Sequence, residues 1–168
     1  MLIYCTGATG LAGYNFVKAA SSEGHKVVAV CGKHRLPEMP NVTPVSCDLL
    51  DEHAVQRAVL EVFPDAIVNC AAISSPVDVD ANPELAEKMN TVLPERLAQL
   101  ANHVGARFIH LSTDMVFDGS DAPYKNTDIP MPCTLYGTTK LMAEKRVLKA
   151  AAHTSVVLRL SHISGNSL

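Results

Sequence analysis

Tyr136-Gly137-Thr138-Thr139-Lys140 sets a phenol and an amine four residues apart. On a helix the two share one face and can meet the same ligand. A positive charge beside a phenol favours phenolate and lowers its pKa from about 10. Tyr136 is therefore expected to give or take a proton near neutral pH. Leu111-Ser112-Thr113-Asp114 closes an apolar run upstream. A Thr113 hydroxyl there would hydrogen-bond a substrate carbonyl and polarise it, with Ser112 the neighbouring alternative. The bland readings are a surface helix with Tyr136 packed beneath it and a hydroxyl that merely caps backbone.

A second chemical feature lies more than a hundred residues earlier, in Thr6-Gly7-Ala8-Thr9-Gly10-Leu11-Ala12-Gly13. Glycines between a first strand and a first helix permit a tight turn and let backbone approach a pyrophosphate at the helix N-terminus. Gly7, Thr9, Gly10, Leu11 and Gly13 are the expected cofactor contacts, against the plain alternative of a strand–helix turn. The spacing is G-x-x-G-x-x-G rather than G-x-G-x-x-G. About 20 residues on, where an acid would hold the ribose of NAD, stands Val30-Cys31-Gly32-Lys33-His34-Arg35. Lys33 and Arg35 suit a 2′-phosphate, so NADP(H) is expected over NAD(H). A solvated basic loop is the competing reading.

The elements that must position these groups alternate in type. Leu2–Thr6, Lys26–Cys31, Thr43–Cys47, Ala66–Cys70, Arg107–Ser112 and Ser155–Leu160 read as strands. They are near-continuous apolar runs, as in parallel sheets covered by helices on both faces. Leu11–Ser22, Glu52–Val62, Pro83–Val104 and Tyr136–Ala150 show helical spacing, with Gly24 and Gly105 as stops and Pro94 as a kink or break. Phe117–Thr134, rich in Gly, Pro, Asp and Ser, reads as a long loop of the functional or mobile kind. The alternation implies an α/β fold, a doubly wound parallel sheet of Rossmann type forming one dinucleotide-binding domain over residues 1–168.

Composition closes off other classes. The chain has 168 residues, 48% hydrophobic and 18% charged, enough for one core and too apolar for disorder. A net charge of −3 gives no basic footprint for nucleic acid or a membrane surface. No run reaches the roughly 20 apolar residues of a membrane helix, and no signal peptide is expected. Cys5, Cys31, Cys47, Cys70 and Cys133 are scattered, without C-x-x-C, and the histidines lack H-x-x-x-H. No metal site is expected, and the plain reading is a reduced, cytoplasmic protein.

With its T-G-x-x-G-x-x-G turn the sequence resembles the extended branch of the short-chain dehydrogenase/reductases. Asp48-Leu49 resembles that family's adenine-contacting pair, and Asn69-Cys70-Ala71-Ala72 its Asn-x-Ala-Ala/Gly stretch; by resemblance Asp48, Leu49, Cys70, Ala71 and Ala72 join the cofactor site. Ser112-Thr113-Asp114-Met115-Val116-Phe117-Asp118-Gly119, then Pro123-Tyr124, Asp128, Pro130, Pro132, and Tyr136-Gly-Thr-Thr-Lys140 with Glu144, are more specific. They resemble the dTDP-4-dehydrorhamnose reductase family, as does Leu158-Arg159-Leu160-Ser161. The resemblance runs the length of the chain. It implies a catalytic set of Thr113, Tyr136 and Lys140, and NADP(H)-dependent reduction of a 4-keto-6-deoxy sugar nucleotide. Tyr136 would supply the proton, while Lys140 would hold the nicotinamide ribose and tune Tyr136.

Thr113 and Tyr136, with Ser74, Ser75 and Asp78 from the segment after the fourth strand, are the expected substrate contacts. Met115 stands where the family has Tyr, and Asn126 where it often has Glu, which points to a different substrate. The family also continues into a smaller C-terminal substrate domain, whereas this chain ends at Leu168; the expectation is a fragment or a natural short form. Glu144 reads as a solvated partner of Lys140, Asn90 equally as a family helix Asn or a surface amide, and His162 as structural. Two other readings stand beside the reductase: an NAD-dependent sugar-nucleotide epimerase or dehydratase, and a non-catalytic cofactor-binding subunit resembling the regulatory subunit of methionine adenosyltransferase. A homodimer is expected only by analogy with related reductases.

Overall fold

The apolar runs form six strands: β1 (Leu2–Thr6), β2 (Lys26–Cys31), β3 (Val42–Ser46), β4 (Ala66–Asn69), β5 (Arg107–Thr113) and β6 (Ser155–Leu160). This computed structural model describes residues 1–164, so residues 165–168 of the expected domain lie outside the described residues. The strands make one sheet in the order β3-β2-β1-β4-β5-β6, every pairing parallel. The order reverses between β1 and β4, and ligands of open α/β sheets bind at the carboxyl ends of strands beside such a reversal. Thr6 pairs with Asn69, and Asn69 with His110, which sets three polar residues in one row across β1, β4 and β5.

The helices start and stop on local chemistry. α1 (Leu11–Ser22) follows the glycine turn. α2 (Glu52–Val62) begins where the Asp51 carboxylate accepts from the N–H of His53 at 2.9 Å and of Ala54 at 3.1 Å. α3 (Pro76–Ala81), which periodicity misses because it is so short, carries Ser75 as N-cap and Pro76 in its first turn. The helix expected over Pro83–Val104 is three pieces: α4 (Pro83–Glu87), a π-helical turn (Lys88–Val92) and α5 (Leu93–Val104). Pro94 lacks an N–H and its ring crowds the carbonyl four residues back; the wider turn just before it accommodates both. α5 stops at Gly105, where φ is +74°. α6 (Leu135–Ala150) starts one residue earlier than expected, with the Thr134 hydroxyl accepting from the Gly137 N–H at 3.0 Å.

One core lies between the sheet and α2, α5 and α6, built on Tyr4, Ile67, Leu97, Phe108 and Val147. Burying each large apolar side chain there contributes about 1.5–3 kcal/mol. The second core joins Ile3, Cys5, Val27 and Val68 to α1 through Val17 and Ala20. Helices thus cover both faces of the sheet, as expected, but unevenly. Among the described residues α1 is the only helix on that face, and it leaves Ile109, Leu111, Leu158 and Leu160 lining an apolar trough of about 470 Å³. The trough lies on the flat of the sheet, away from the polar groups at the strand ends.

Candidate active site

The glycine turn is pinned to the end of β2 by the Ala8 N–H, which donates to the Val30 carbonyl at 3.1 Å. Gly7 has φ +65°, and a Cβ on it would stand 2.6 Å from the Ala71 nitrogen. A Cβ on Gly13 would strike the Gly7 carbonyl oxygen. The chain's own packing therefore demands glycine at both positions. Gly10 differs: it is exposed, and its nearest such neighbour would be the Gly7 oxygen at 3.4 Å, an ordinary contact. It is also the N-cap of α1 and has no side chain to cap it. The space over Gly10 thus fits an anion drawn to uncapped N–H groups, and Thr9 and Leu11 stand half-buried beside it.

Lys33 and Arg35 are exposed in the bend after β2, on the side to which the turn is pinned. Exposed Asp48 accepts from the Leu50 N–H at 3.0 Å, and Leu49 packs against the larger core. Cys70, Ala71 and Ala72 leave the end of β4, with the first two directly beneath Gly7.

Thr113 ends β5 and Tyr136 is the second residue of α6. Gly137 brings them together, because a Cβ on it would collide with the Met115 carbonyl oxygen. Without that side chain, the start of α6 presses on the turn Asp114–Val116. Tyr136 is only 9% exposed. Burial pushes its pKa up from the ordinary tyrosine value; hydrogen bonding from Thr113 offsets part of this, and the Asp114 charge adds to it. The lowering expected from Lys140 is absent, so at neutral pH Tyr136 holds its proton and can donate it.

Lys140 instead points into the protein. It is 2% exposed, donates to the Leu111 carbonyl at 2.6 Å, and lies 3.3 Å from Nε2 of His110. Burial pulls its pKa down to about 8, although the charge of Glu144 and Cys70 pull the other way. Cys70, which floors the glycine turn, is among the groups that act on Lys140.

Three side chains had weaker or no readings from sequence. Asn90 is not a surface amide: it is fully buried, accepts from the Ile73 N–H at 2.8 Å and donates to the Ile73 carbonyl at 3.0 Å. Glu144 is not solvated: it accepts from Ser112 at 2.5 Å and pairs with Arg159. His110 was missed, although a histidine amid the apolar residues of β5 was a visible signal. Among the expected substrate contacts, Ser74 and Asp78 are exposed near the start of α3, while the Ser75 hydroxyl caps that helix by accepting from the Asp78 N–H. His162 is exposed beyond β6.

Residues 1–167 match the family model described as RmlD substrate binding domain. The chain belongs to the RmlD family. Among its curated relatives, methionine adenosyltransferase 2 subunit beta of Xenopus laevis is 42% identical over 144 residues, which cover 86% of this chain and 42% of that protein. The dTDP-4-dehydrorhamnose reductase of Mycolicibacterium smegmatis is 37% identical over 157 residues, covering 92% of this chain and 44% of the enzyme. The structure of dTDP-4-dehydrorhamnose reductase from Bacillus anthracis in complex with NADP matches with a TM-score of 0.77 and 25% identity, over 95% of this chain and 53% of that one. This RmlD-family chain thus spans about half the length of its relatives or less. Among the described residues no three His, Cys, Asp or Glu gather as a metal site would need, and no helix is long and apolar enough to cross a membrane.

Proposed function

We propose that this chain is the nicotinamide-binding part of an NADP(H)-dependent reductase acting on a 4-keto-6-deoxy sugar nucleotide in the cytoplasm. The observation that carries the reading is the meeting, at the carboxyl ends of β1, β4 and β5, of the open Gly10 turn with Thr113, protonated Tyr136 and Lys140. Gly10 and the uncapped start of α1 would hold the pyrophosphate. Lys33 and Arg35 favour the 2′-phosphorylated cofactor, a choice supported by the NADP complex of the Bacillus anthracis relative. Asp48 and Leu49 would border the adenine, and Cys70–Ala72 the face of the cofactor. Bound there, the nicotinamide supplies the hydride.

The chain's own part is proton delivery. Thr113 orients the carbonyl oxygen by hydrogen bonding, and the Tyr136 hydroxyl, kept protonated by its burial, gives that oxygen its proton. Lys140, held on the Leu111 carbonyl, borders the ribose. Ser74, Ser75 and Asp78 are placed to edge the sugar-nucleotide side, where Met115 offers an apolar side chain. A second reading, a regulatory subunit that binds cofactor without turnover, is favoured by the 42% identity to methionine adenosyltransferase 2 subunit beta.

The test is NADPH oxidation in the presence of dTDP-4-keto-6-deoxy sugar, for the wild-type chain and for Tyr136→Phe. Oxidation by wild type that falls at least about 100-fold in the variant supports the reductase. NADPH binding without oxidation, together with capture of a methionine adenosyltransferase partner, selects the regulatory reading.

A further inference from the structure

Next to Lys140 lies a row of buried polar groups that the proposed reaction does not use. Thr6, Asn69 and His110 are neighbours in register on β1, β4 and β5, and none is more than 1% exposed. Thr6 Oγ1 stands 2.5 Å from Asn69 Oδ1, Asn69 Nδ2 stands 3.1 Å from His110 Nδ1, and His110 Nε2 stands 3.3 Å from Lys140 Nζ.

The distances orient the row. At 2.5 Å the Thr6–Asn69 contact has the length of a short O–H···O bond and is too short for N–H···O. The amide oxygen of Asn69 therefore faces Thr6, and its NH2 faces the ring. Nδ1 of His110 must then accept, which leaves the single proton of a neutral imidazole on Nε2, pointing at Lys140. An ammonium has no lone pair to receive it, but a neutral amine does. Every bond then runs one way, from the Thr6 hydroxyl through Asn69, His110 and Lys140 to the Leu111 carbonyl.

We propose that His110 is a positioning residue for Lys140: it donates its Nε2–H to the Lys140 amine, holds that amine on the Leu111 carbonyl, and favours its unprotonated form. The functional weight of this rests on the reading of Lys140 as part of the reductase site. The charged and titratable groups around Lys140 are consistent with it. Glu144, one turn along α6, has its carboxylate shared with Arg159 of β6 and Ser112 of β5, which divides its pull on the ammonium. Cys70, after β4, adds a smaller pull toward the ammonium, and burial outweighs both. His110 is itself held neutral chiefly by its burial. Lys140 titrates at about 8, within reach of neutral pH, so the amine can exchange its proton while the site works.

The tautomer of His110 and the titration of Lys140 are both read by nitrogen-15 NMR on the full chain, with Lys140→Met identifying the amine signal. The proposal expects the Nε2–H tautomer in the wild type. His110→Phe should raise the proton affinity of Lys140 about tenfold, and His110→Gln, which still accepts from Asn69 and donates to Lys140, should restore it to within about twofold. The Nδ1–H tautomer, or a Lys140 titration unmoved in a folded His110→Phe, would overturn it. Should His110→Phe fail to fold, the wild-type tautomer decides. NADPH binding in the same samples tests the reductase reading separately, since the NMR result requires neither cofactor nor turnover.

Discussion

The Arg159 guanidinium grips the Glu144 carboxylate through two nitrogens, Nη2 to Oε2 at 2.7 Å and Nε to Oε1 at 3.0 Å. Glu144 is nearly closed off from solvent and Arg159 mostly so. The same guanidinium lies 5.0 Å from the centre of the Phe117 ring, which stacks on Tyr124 at 4.2 Å. One ion pair thus ties β6 to α6 and anchors the loop 117–134.

Removing only the arginine strands a buried carboxylate. Arg159→Met is expected to lower the unfolding free energy by about 3 kcal/mol in denaturant titration, with Arg159→Met/Glu144→Gln regaining part of it. A loss under about 1 kcal/mol, as for an exposed pair, would show that the pair does not carry this load.

The glycines of the turn should separate by role. Gly13→Ala must displace the Gly7 backbone and is expected to lower the melting temperature. Gly10→Ala meets nothing closer than 3.4 Å, so it should keep the melting temperature and weaken NADPH binding about tenfold or more. Equal effects on stability would remove the argument for a pyrophosphate over Gly10.

Much of the fold is legible in the sequence. All six strands fall within one residue of their expected ends, because parallel strands are continuous apolar runs bounded by turn residues. Thr113, Tyr136 and the glycine turn are legible as motifs, and Thr113 and the turn stand at the carboxyl ends of β5 and β1. What sequence could not show was direction. The i,i+4 spacing puts Lys140 on the face of Tyr136 but does not say that its long side chain turns to His110 and Leu111. Spacing leaves Asn90 open between a family helix Asn and a surface amide and makes Glu144 look solvated, because their partners, Ile73 and Arg159, are 17 and 15 positions away.

Tyr136 and Thr113 should act on rate more than on binding. Tyr136→Phe and Thr113→Val are expected to keep NADPH affinity and reduce sugar-nucleotide reduction by about 10²–10⁴-fold. Parallel loss of cofactor binding would assign both residues to the structure of the pocket instead.

Lys140 makes a signed prediction in pH. Its folded pKa of about 8 lies below the ordinary 10.5, so between these values the unfolded chain binds more protons. Its cost to stability is complete below about pH 8 and fades as pH rises toward 10.5. Relative to Lys140→Met, the wild-type chain should therefore gain stability over that window, by up to about 3 kcal/mol. Denaturant unfolding of both proteins across the window reads the difference; a gap that is flat or of opposite slope contradicts the buried amine.

The most direct test of the whole account is calorimetric titration of the chain with NADPH and with NADH, repeated for Lys33→Ala/Arg35→Ala. The account predicts that NADPH binds at least about tenfold tighter than NADH, and that the double variant erases the difference. Binding of neither dinucleotide by the folded chain would contradict it.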